Sequence, residues 1–172
     1  MRLFFVVGPS GAGKDTLLSG AITADPALHW ARRVITRPES AGGEPFEGVT
    51  EAEFAIRLAR GDFALHWDAH GLRYGVPRTE LPQGRDVLLN GSRAAIAQAL
   101  AAFPGLRVVH ITAPVAVLAE RLAGRGRETR DQIEARLSRS TEPMPADVPV
   151  IEIVNDAAPE TGVNRLLQAL RG

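Results

Sequence analysis

The stretch VVGPSGAGKDTLL, from Val6 to Leu18, joins a run of apolar residues to a polar loop rich in glycine. Gly8, Gly13 and Lys14 have the spacing G-x-x-x-x-G-K, directly after a predicted strand and directly before a predicted helix. Such a loop turns backbone N–H groups inward around phosphate oxygens, and the helix N-terminus adds favourable dipole charge. The pattern therefore predicts a nucleotide-phosphate loop whose lysine reaches the β- and γ-phosphates. The ATP-binding residues expected here are Gly8, Pro9, Ser10, Gly11, Ala12, Gly13, Lys14, Asp15 and Thr16.

Asp15 stands where such loops usually carry Ser or Thr, whose hydroxyl coordinates Mg²⁺. A carboxylate beside a triphosphate would be repelled unless a cation lay between them. One interpretation is that Asp15 binds Mg²⁺, directly or through water, because this ion prefers oxygen ligands. The other is that its charge interacts favourably with the first helical turn. We favour the metal-bound interpretation and leave the second open.

Composition restricts the class of protein. The chain has 172 residues, 45% of them hydrophobic, which suits one compact domain. Twenty basic residues balance twenty acidic ones, so no overall charge favours binding to nucleic acid or to a membrane surface. The absence of cysteine excludes disulfides and thiol-bound metals. With no apolar run long enough for a membrane span or a signal peptide, we expect a cytoplasmic protein, either a monomer or a homodimer.

Short apolar runs alternate with helical patterns along the chain, which predicts an α/β fold. The runs RLFFVV, DVLLN, LRVVHI and VPVIEIV are typical of buried parallel strands, and RRVIT is the candidate for a fifth. Helical patterns occupy residues 14–24, 92–103, 114–123, 129–138 and 159–170, and a capping box of Thr50 and Glu53 begins another at 51–60. The expectation is a five-stranded parallel sheet flanked by helices, with ligands at the carboxyl ends of the strands.

Several segments together resemble guanylate kinases in order and spacing. They are GPSGAGKDTLL, VITRP followed by Glu44, EAEF, GDFALHW with GLRYG, LAERLAGRGRE and IVND. The resemblance covers nearly the whole chain and implies a P-loop NTPase core, an acceptor-binding insert and a mobile lid. The implied arrangement is one domain over residues 1–172, with the core at 1–35, 83–123 and 131–172, the insert at about 36–82 and the lid at about 124–130.

Residues that read the guanine base in guanylate kinases are absent here. Leu65 and Val76 stand where those enzymes carry a Glu and a hydroxyl residue, and Asn90 replaces an acidic residue at the end of the middle strand. A pocket that hydrogen-bonds a base loses several kcal/mol of discrimination when its polar partners become apolar. Arg37 and Tyr74 of the phosphate side are retained. The acceptor is therefore expected to carry phosphate but no base.

A second resemblance fits this pattern better. The blocks GPSGAGKD, ITRP, W-x-A-x-G-L-x-YG and NGSR are similar to those of the ribose 1,5-bisphosphate phosphokinase family. That resemblance implies ATP-dependent conversion of ribose 1,5-bisphosphate to 5-phosphoribosyl 1-diphosphate, linked to phosphonate breakdown. The alternatives are a guanylate kinase with unusual base contacts and a kinase of another phosphorylated sugar. A catalytically silent module is disfavoured because the glycines and Lys14 of the loop are intact.

Transfer onto a phosphate needs no strong general base, so catalysis is mainly positioning and charge neutralisation. Arg37, Arg73 and Tyr74 are expected to hold the acceptor phosphate. Arg93 is the candidate for a second phosphate and Asn90 for a ribose hydroxyl. Solvated arginines, a packed tyrosine ring and a turn-forming asparagine are the structural alternatives.

Arginines around the lid are the other candidates for charge neutralisation. Arg125 and Arg136 best match the lid and helix arginines of guanylate kinases, and with Lys14 they form the predicted catalytic set. Arg121, Arg127 and Arg130 lie in the same region. Asn155, just past the last predicted strand, matches the adenine-side loop of those enzymes and completes the expected ATP site.

Overall fold

The computed structural model describes residues 1–41, 43–126, 128–139 and 143–172, without the side chains of 41, 136, 138 and 139. Its strands are β1 Leu3–Val7, β2 Leu28–Trp30, β3 Arg33–Ile35, β4 Phe46–Gly48, β5 Phe63–Ala69, β6 Leu72–Pro77, β7 Asp86–Asn90, β8 Arg107–Thr112 and β9 Val150–Val154. Its helices are α1 Lys14–Ala24, α2 Glu51–Ala59, α3 Ile96–Ala102, α4 Val115–Ala123, α5 Arg130–Arg139 and α6 Pro159–Arg171. None of the described helices is long and apolar enough to cross a membrane.

The central sheet has five parallel strands in the order β2-β7-β1-β8-β9, which confirms the predicted fold class. The fifth strand was wrongly placed: it is Leu28–Trp30, and the RRVIT run contributes β3 to a second sheet. Directly after β2, the backbone N–H of Ala31 donates a hydrogen bond to the carbonyl of Leu88 in β7. A three-residue run carries no signal for which of two sheets it joins, because both bury apolar side chains.

The second sheet, in the order β4-β3-β6-β5, pairs β6 antiparallel with β3 and with β5. The hairpin between β5 and β6 turns at His70 and Gly71, whose φ angles are 52° and 72°. Two successive positive φ angles mark a type I′ turn, which matches the twist of the strands it joins.

Side chains of β1 alternate between two layers of core. Phe4 and Val6 pack with α1, α4 and α6 on one side, whereas Phe5 and Val7 pack with α3 and the second sheet on the other. The predicted helices are found within one or two residues, except that the 92–103 segment opens with a 3₁₀ turn at Arg93–Ala95. Because all five strands run the same way, their carboxyl ends meet at one edge. The division into core, insert and lid stays a prediction.

Helix α2 covers one face of the second sheet. Thr50 and Glu53 exchange the hydrogen bonds of a capping box, as predicted. Phe54 is 1% exposed and stacks on Phe63 with ring centroids 4.7 Å apart, whereas Ile56 of the same helix is 58% exposed. This aromatic pair is the centre of the apolar cluster that joins the helix to the second sheet.

We expect Phe54→Ala to lower the free energy of unfolding by about 3–5 kcal/mol, because it leaves a cavity against Phe63. Ile56→Ala, the control on the same helix, should change it by less than about 0.5 kcal/mol. Urea unfolding followed by circular dichroism measures both. Equal losses in the two variants would contradict the packing described here.

Candidate active site

The loop between β1 and α1 has the geometry that its sequence predicts. Gly13 has a φ of 84°, and a Cβ there would lie 2.6 Å from Nδ2 of Asn155, so only glycine fits. The ammonium of Lys14 folds back over its own loop and donates to the carbonyl of Gly8 at 2.7 Å. The lysine is thus held at the mouth of the loop, from where it can reach a phosphate.

Two side chains hold the loop backbone from behind. Nδ2 of Asn155 donates to the carbonyl of Ala12 at 2.8 Å, and the backbone N–H of Asn155 donates to the carbonyl of Thr112 at 2.7 Å. Arg121 donates through Nη2 to the carbonyl of Asn155 at 2.8 Å and through Nη1 to that of Gly11 at 3.2 Å. Asn155 therefore faces the loop, and its predicted adenine-side role stays a prediction. Arg121, considered only as a lid arginine, supports the loop.

Cations surround Lys14. The pKa of the Lys14 ammonium is lowered to about 8, chiefly by burial; the charge of Asp15 opposes this shift, and the positive charges of Arg33 and Arg93 add to it. The charge of Arg37 likewise lowers the pKa of Arg33. Lys14, Arg33, Arg37 and Arg93 are called the cation cluster below. Such a concentration of positive charge at the end of a sheet is suited to binding multiply charged anions.

Arg33, which sequence reasoning missed, is the buried member of the cation cluster. It donates to the Glu44 carboxylate through Nε, at 3.0 Å, and through Nη2, and each residue is 8% exposed. Its guanidinium carbon lies 4.8 Å from the ring centroid of Tyr74. Burial lowers its pKa to about 10, so it stays protonated at neutral pH. Its only sequence signal is its place directly before the VITRP block, because its pairing with Glu44 depends on the fold.

Tyr74 and Arg37 lie beside Arg33. The ring of Tyr74 stacks on Trp67 with centroids 5.5 Å apart and an interplanar angle of 4°. The guanidinium carbon of Arg37 lies 4.4 Å from the ring centroid of Phe46. Aromatic faces thus support two of the guanidinium groups, a contact that favours cations electrostatically. Their predicted role in holding the acceptor phosphate stays a prediction.

Arg73 lies elsewhere, contrary to its predicted place in the acceptor clamp. Its guanidinium carbon is 4.8 Å from the ring centroid of Phe54, and Nε is 3.5 Å from the carboxylate of Asp68. Neighbouring residues of a strand point to opposite faces, so Arg73 and Tyr74 cannot both face the cation cluster. The prediction that both residues hold the acceptor phosphate did not take this alternation into account.

Positions expected to lack base-reading groups are apolar and buried. Leu65 and Val76 are cross-strand partners, 3% and 1% exposed, and they pack in the same core cluster as Trp67. They offer no hydrogen bond to a base edge. Leu65 and Val76 thus form an apolar wall beside Tyr74 that offers no polar group to a base.

Lid residues are described only in part. Arg125 is exposed in the turn that follows α4. Arg127 and the side chain of Arg136 lie outside the described part of the chain, although the backbone of residue 136 belongs to α5. Arg130 forms an exposed ion pair with Glu134 at 3.3 Å. The catalytic roles of Arg125 and Arg136 stay predictions.

Asp15 contacts the end of β7. Its Oδ1 accepts a hydrogen bond from Nδ2 of Asn90 at 3.2 Å, and its side chain is otherwise exposed. The described residues contain no group of three side chains that could hold a metal ion by themselves. Mg²⁺ bound with nucleotides takes most of its ligands from phosphates and water, so the remaining carboxylate oxygen of Asp15 fits that donor set.

Substitution of the buried Arg33–Glu44 pair tests how much it contributes to the free energy of unfolding. Arg33→Met leaves the Glu44 carboxylate buried alone and should cost about 3–5 kcal/mol of unfolding free energy. The double variant Arg33→Met/Glu44→Leu should recover most of that loss, because no buried charge remains. Arg130→Met, which removes an exposed pair, should cost less than about 1 kcal/mol. A double variant as unstable as the single one, in urea unfolding, would contradict the pairing.

His110 of β8 adds a pH dependence to stability. Its side chain is 14% exposed, with Nδ1 3.9 Å from the carboxylate of Glu152. Burial lowers its pKa, the charges of Arg93 and Lys14 lower it further, and Glu152 opposes them. The unfolded chain therefore binds the proton at higher pH than the folded one, and stability falls as the pH drops below about 6.5.

We expect His110→Gln to reduce the loss of melting temperature between pH 7 and pH 5, because the variant has no imidazole to protonate on unfolding. His70→Asn, at the exposed hairpin turn, is the control and should behave as the wild type does. Melting temperatures at the two pH values measure the effect. An unchanged pH dependence in His110→Gln would show that other groups cause it.

Comparisons with known proteins show the family of this chain. No family model matches the chain. It is 53% identical, over 98% of its length, to the bifunctional ribose 1,5-bisphosphokinase-thymidine phosphorylase of Cupriavidus necator, but spans only 29% of that protein. It is 50% identical to the ribose 1,5-bisphosphate phosphokinase PhnN of Ruegeria sp., over 88% of this chain and 82% of the relative. The fold matches guanylate kinase from Anaplasma phagocytophilum with a TM-score of 0.70 and 20% identity, over 99% of this chain and 84% of that one. The chain belongs to the ribose 1,5-bisphosphate phosphokinase family.

Proposed function

We propose that this chain transfers the γ-phosphoryl group of ATP to the C1 phosphate of ribose 1,5-bisphosphate, giving 5-phosphoribosyl 1-diphosphate and ADP. The observation that carries the proposal is the cation cluster beside a wall with no base-reading group. A bisphosphate needs cations at two places and no partner for a base edge. The family to which the chain belongs supports the same acceptor.

The acceptor would lie between the phosphate loop and the second sheet. Arg37 and the Tyr74 hydroxyl are suited to one phosphate, since a guanidinium group binds phosphate oxygens in pairs and a phenol donates a single bond. Arg33, whose Nε and Nη2 donate to Glu44, would support Tyr74 from behind. Arg93 is proposed for the other phosphate and Asn90 for the sugar. Arg73 is left out of the clamp because it lies on the opposite face of β6.

ATP would occupy the phosphate loop with its β- and γ-phosphates at Lys14. The pKa of about 8 keeps the ammonium largely protonated at neutral pH, so it can offset charge on the transferring group. Mg²⁺ is proposed to accompany ATP; Asp15 would be the carboxylate that holds it, and the ion would neutralise phosphate charge. Arg125 and Arg136 are proposed to fold over the phosphates when the lid closes and excludes water.

In the reaction, an oxygen of the C1 phosphate attacks the γ-phosphorus and the bond to the bridging oxygen of ADP breaks. The attacking oxygen is already anionic, so no side chain must remove a proton from it. What the protein supplies is alignment and positive charge. This requirement agrees with a site rich in arginine, in which the carboxylates of Asp15 and Glu44 each pair with another side chain.

A guanylate kinase activity is the main alternative, and Leu65 and Val76 argue against it because each lacks the polar group that a base would need. Kinases of other phosphorylated sugars remain the second alternative. We further propose a cytoplasmic enzyme of phosphonate breakdown that acts on small molecules alone, with neither nucleic acid nor membrane as a partner, as a monomer or homodimer.

The proposal is tested by comparing acceptors in a coupled assay of ADP formation with Mg-ATP. We expect turnover with ribose 1,5-bisphosphate and at least about a hundredfold lower kcat/KM with GMP, because the base finds no partner. Lys14→Met is the control for contaminating kinases and should lower turnover by about a hundredfold to a thousandfold. Faster turnover with GMP than with the sugar would overturn the assignment.

A further inference from the structure

Two positions at which this chain departs from guanylate kinases touch each other. Asp15 replaces the hydroxyl residue of the phosphate loop, and Asn90 replaces the acid at the end of the middle strand. In the structure Nδ2 of Asn90 donates to Oδ1 of Asp15 at 3.2 Å, although 75 residues separate them. Asn90 is paired in register with Val6, so the backbone of the central sheet fixes it beside the strand that leads into the loop.

We propose that Asn90 determines acceptor specificity by accepting a hydrogen bond from a hydroxyl of the pentose, and that Asp15 is the positioning residue that orients its amide. The proposal rests on the proposed function, because it concerns how that site recognises its acceptor. It differs from the metal-bound interpretation of Asp15, which concerns the ATP side.

The chemistry of the contact fixes the orientation of the amide. An ionised carboxylate only accepts hydrogen bonds, so the atom of Asn90 that faces Asp15 must be the nitrogen. The amide oxygen is then the atom left to accept from a donor. Phosphate oxygens are acceptors, whereas a sugar hydroxyl donates. Asn90 is therefore suited to the neutral part of the acceptor, and the cation cluster to its phosphates.

Burial and charge explain why this pair would discriminate. Asn90 is 4% exposed, so little water competes for its oxygen once a ligand covers it. An aspartate at this position would lie about 3 Å from Asp15, where two negative charges repel each other. The neutral amide also keeps negative charge away from an acceptor that brings two phosphates.

Asp15 is linked to the acceptor side by more than Asn90. A Cβ on Gly43 would lie 3.8 Å from Oδ2 of Asp15 and 3.8 Å from Nη2 of Arg37, so both side chains reach the same point of the loop before β4. The charge of Asp15 also raises the pKa of Arg33. The carboxylate thus lies between the phosphate loop and residues proposed to bind the acceptor.

The test measures acceptor KM, ATP KM and Mg²⁺ half-saturation in Asp15→Asn, Asn90→Leu and the double variant. We expect Asn90→Leu to raise the acceptor KM about tenfold or more, with Mg²⁺ half-saturation unchanged. Asp15→Asn should raise the acceptor KM in the wild-type background and add nothing in the Asn90→Leu background. An equal effect of Asp15→Asn in both backgrounds would overturn its positioning role. Asn164→Leu, on the exposed face of α6, is the matched control and should change none of the three values.

The hydroxyl contact has its own readout. The wild type should prefer ribose 1,5-bisphosphate to at least one of its 2-deoxy and 3-deoxy analogues, and Asn90→Leu should remove that preference. Unchanged discrimination in a folded Asn90→Leu protein would overturn the contact, and Asn90→Ala takes its place if the leucine variant does not fold.

Failure of this inference can be told apart from failure of the proposed function. If the wild type does not phosphorylate ribose 1,5-bisphosphate, the proposed function fails and the hydroxyl contact with it. If the wild type does so and only the deoxy preference is unaltered in Asn90→Leu, this inference alone fails. Melting temperatures without ligand check the pair itself: the shifts caused by Asp15→Asn and Asn90→Leu should not be additive, and additive shifts would contradict the contact.

Discussion

Repulsion among the four side chains of the cation cluster is the constraint on which the rest of this site depends. Their charges meet at one edge of the central sheet, where burial chiefly, and their mutual repulsion in addition, lower the pKa values of Lys14 and Arg33. The surrounding residues offset that repulsion in different ways. Glu44 pairs with the buried arginine, aromatic rings lie against two guanidinium groups, and Asp15 contributes a negative charge beside the loop. An anionic ligand would complete the balance.

The phosphate loop is held in place by side chains that bind its carbonyl groups. Its backbone N–H groups must stay available for phosphate oxygens, so it is held through its carbonyls instead. Asn155, Arg121 and Lys14 all donate to carbonyl groups of the loop. Each donor comes from a different element, since Asn155 follows β9, Arg121 lies in α4 and Lys14 begins α1. The loop conformation is therefore a property of the packed core and not of the glycines alone.

The sequence predicts a feature well when the feature depends on a local pattern, and poorly when it depends on contacts between distant parts of the chain. The phosphate loop and the capping box of α2 were predicted correctly because they are local patterns with a fixed spacing. The fifth strand was misplaced because a three-residue run gives no information about its partner. Arg73 was misplaced because its motif was read without the alternation of a strand. Arg33 was missed, and so was the contact between Asp15 and Asn90, because both depend on pairing across the chain.

In the proposed function, the phosphate loop binds ATP, whereas specificity for the acceptor depends on the few residues that line the second sheet. Isothermal titration of the chain, with a non-hydrolysable ATP analogue present, tests this most directly by comparing ribose 1,5-bisphosphate, ribose 5-phosphate and GMP. If cations at two places and an apolar wall select the acceptor, the bisphosphate should bind at least about tenfold more tightly than either of the others. Equal or tighter binding of GMP would contradict that selection and would favour a nucleotide kinase instead.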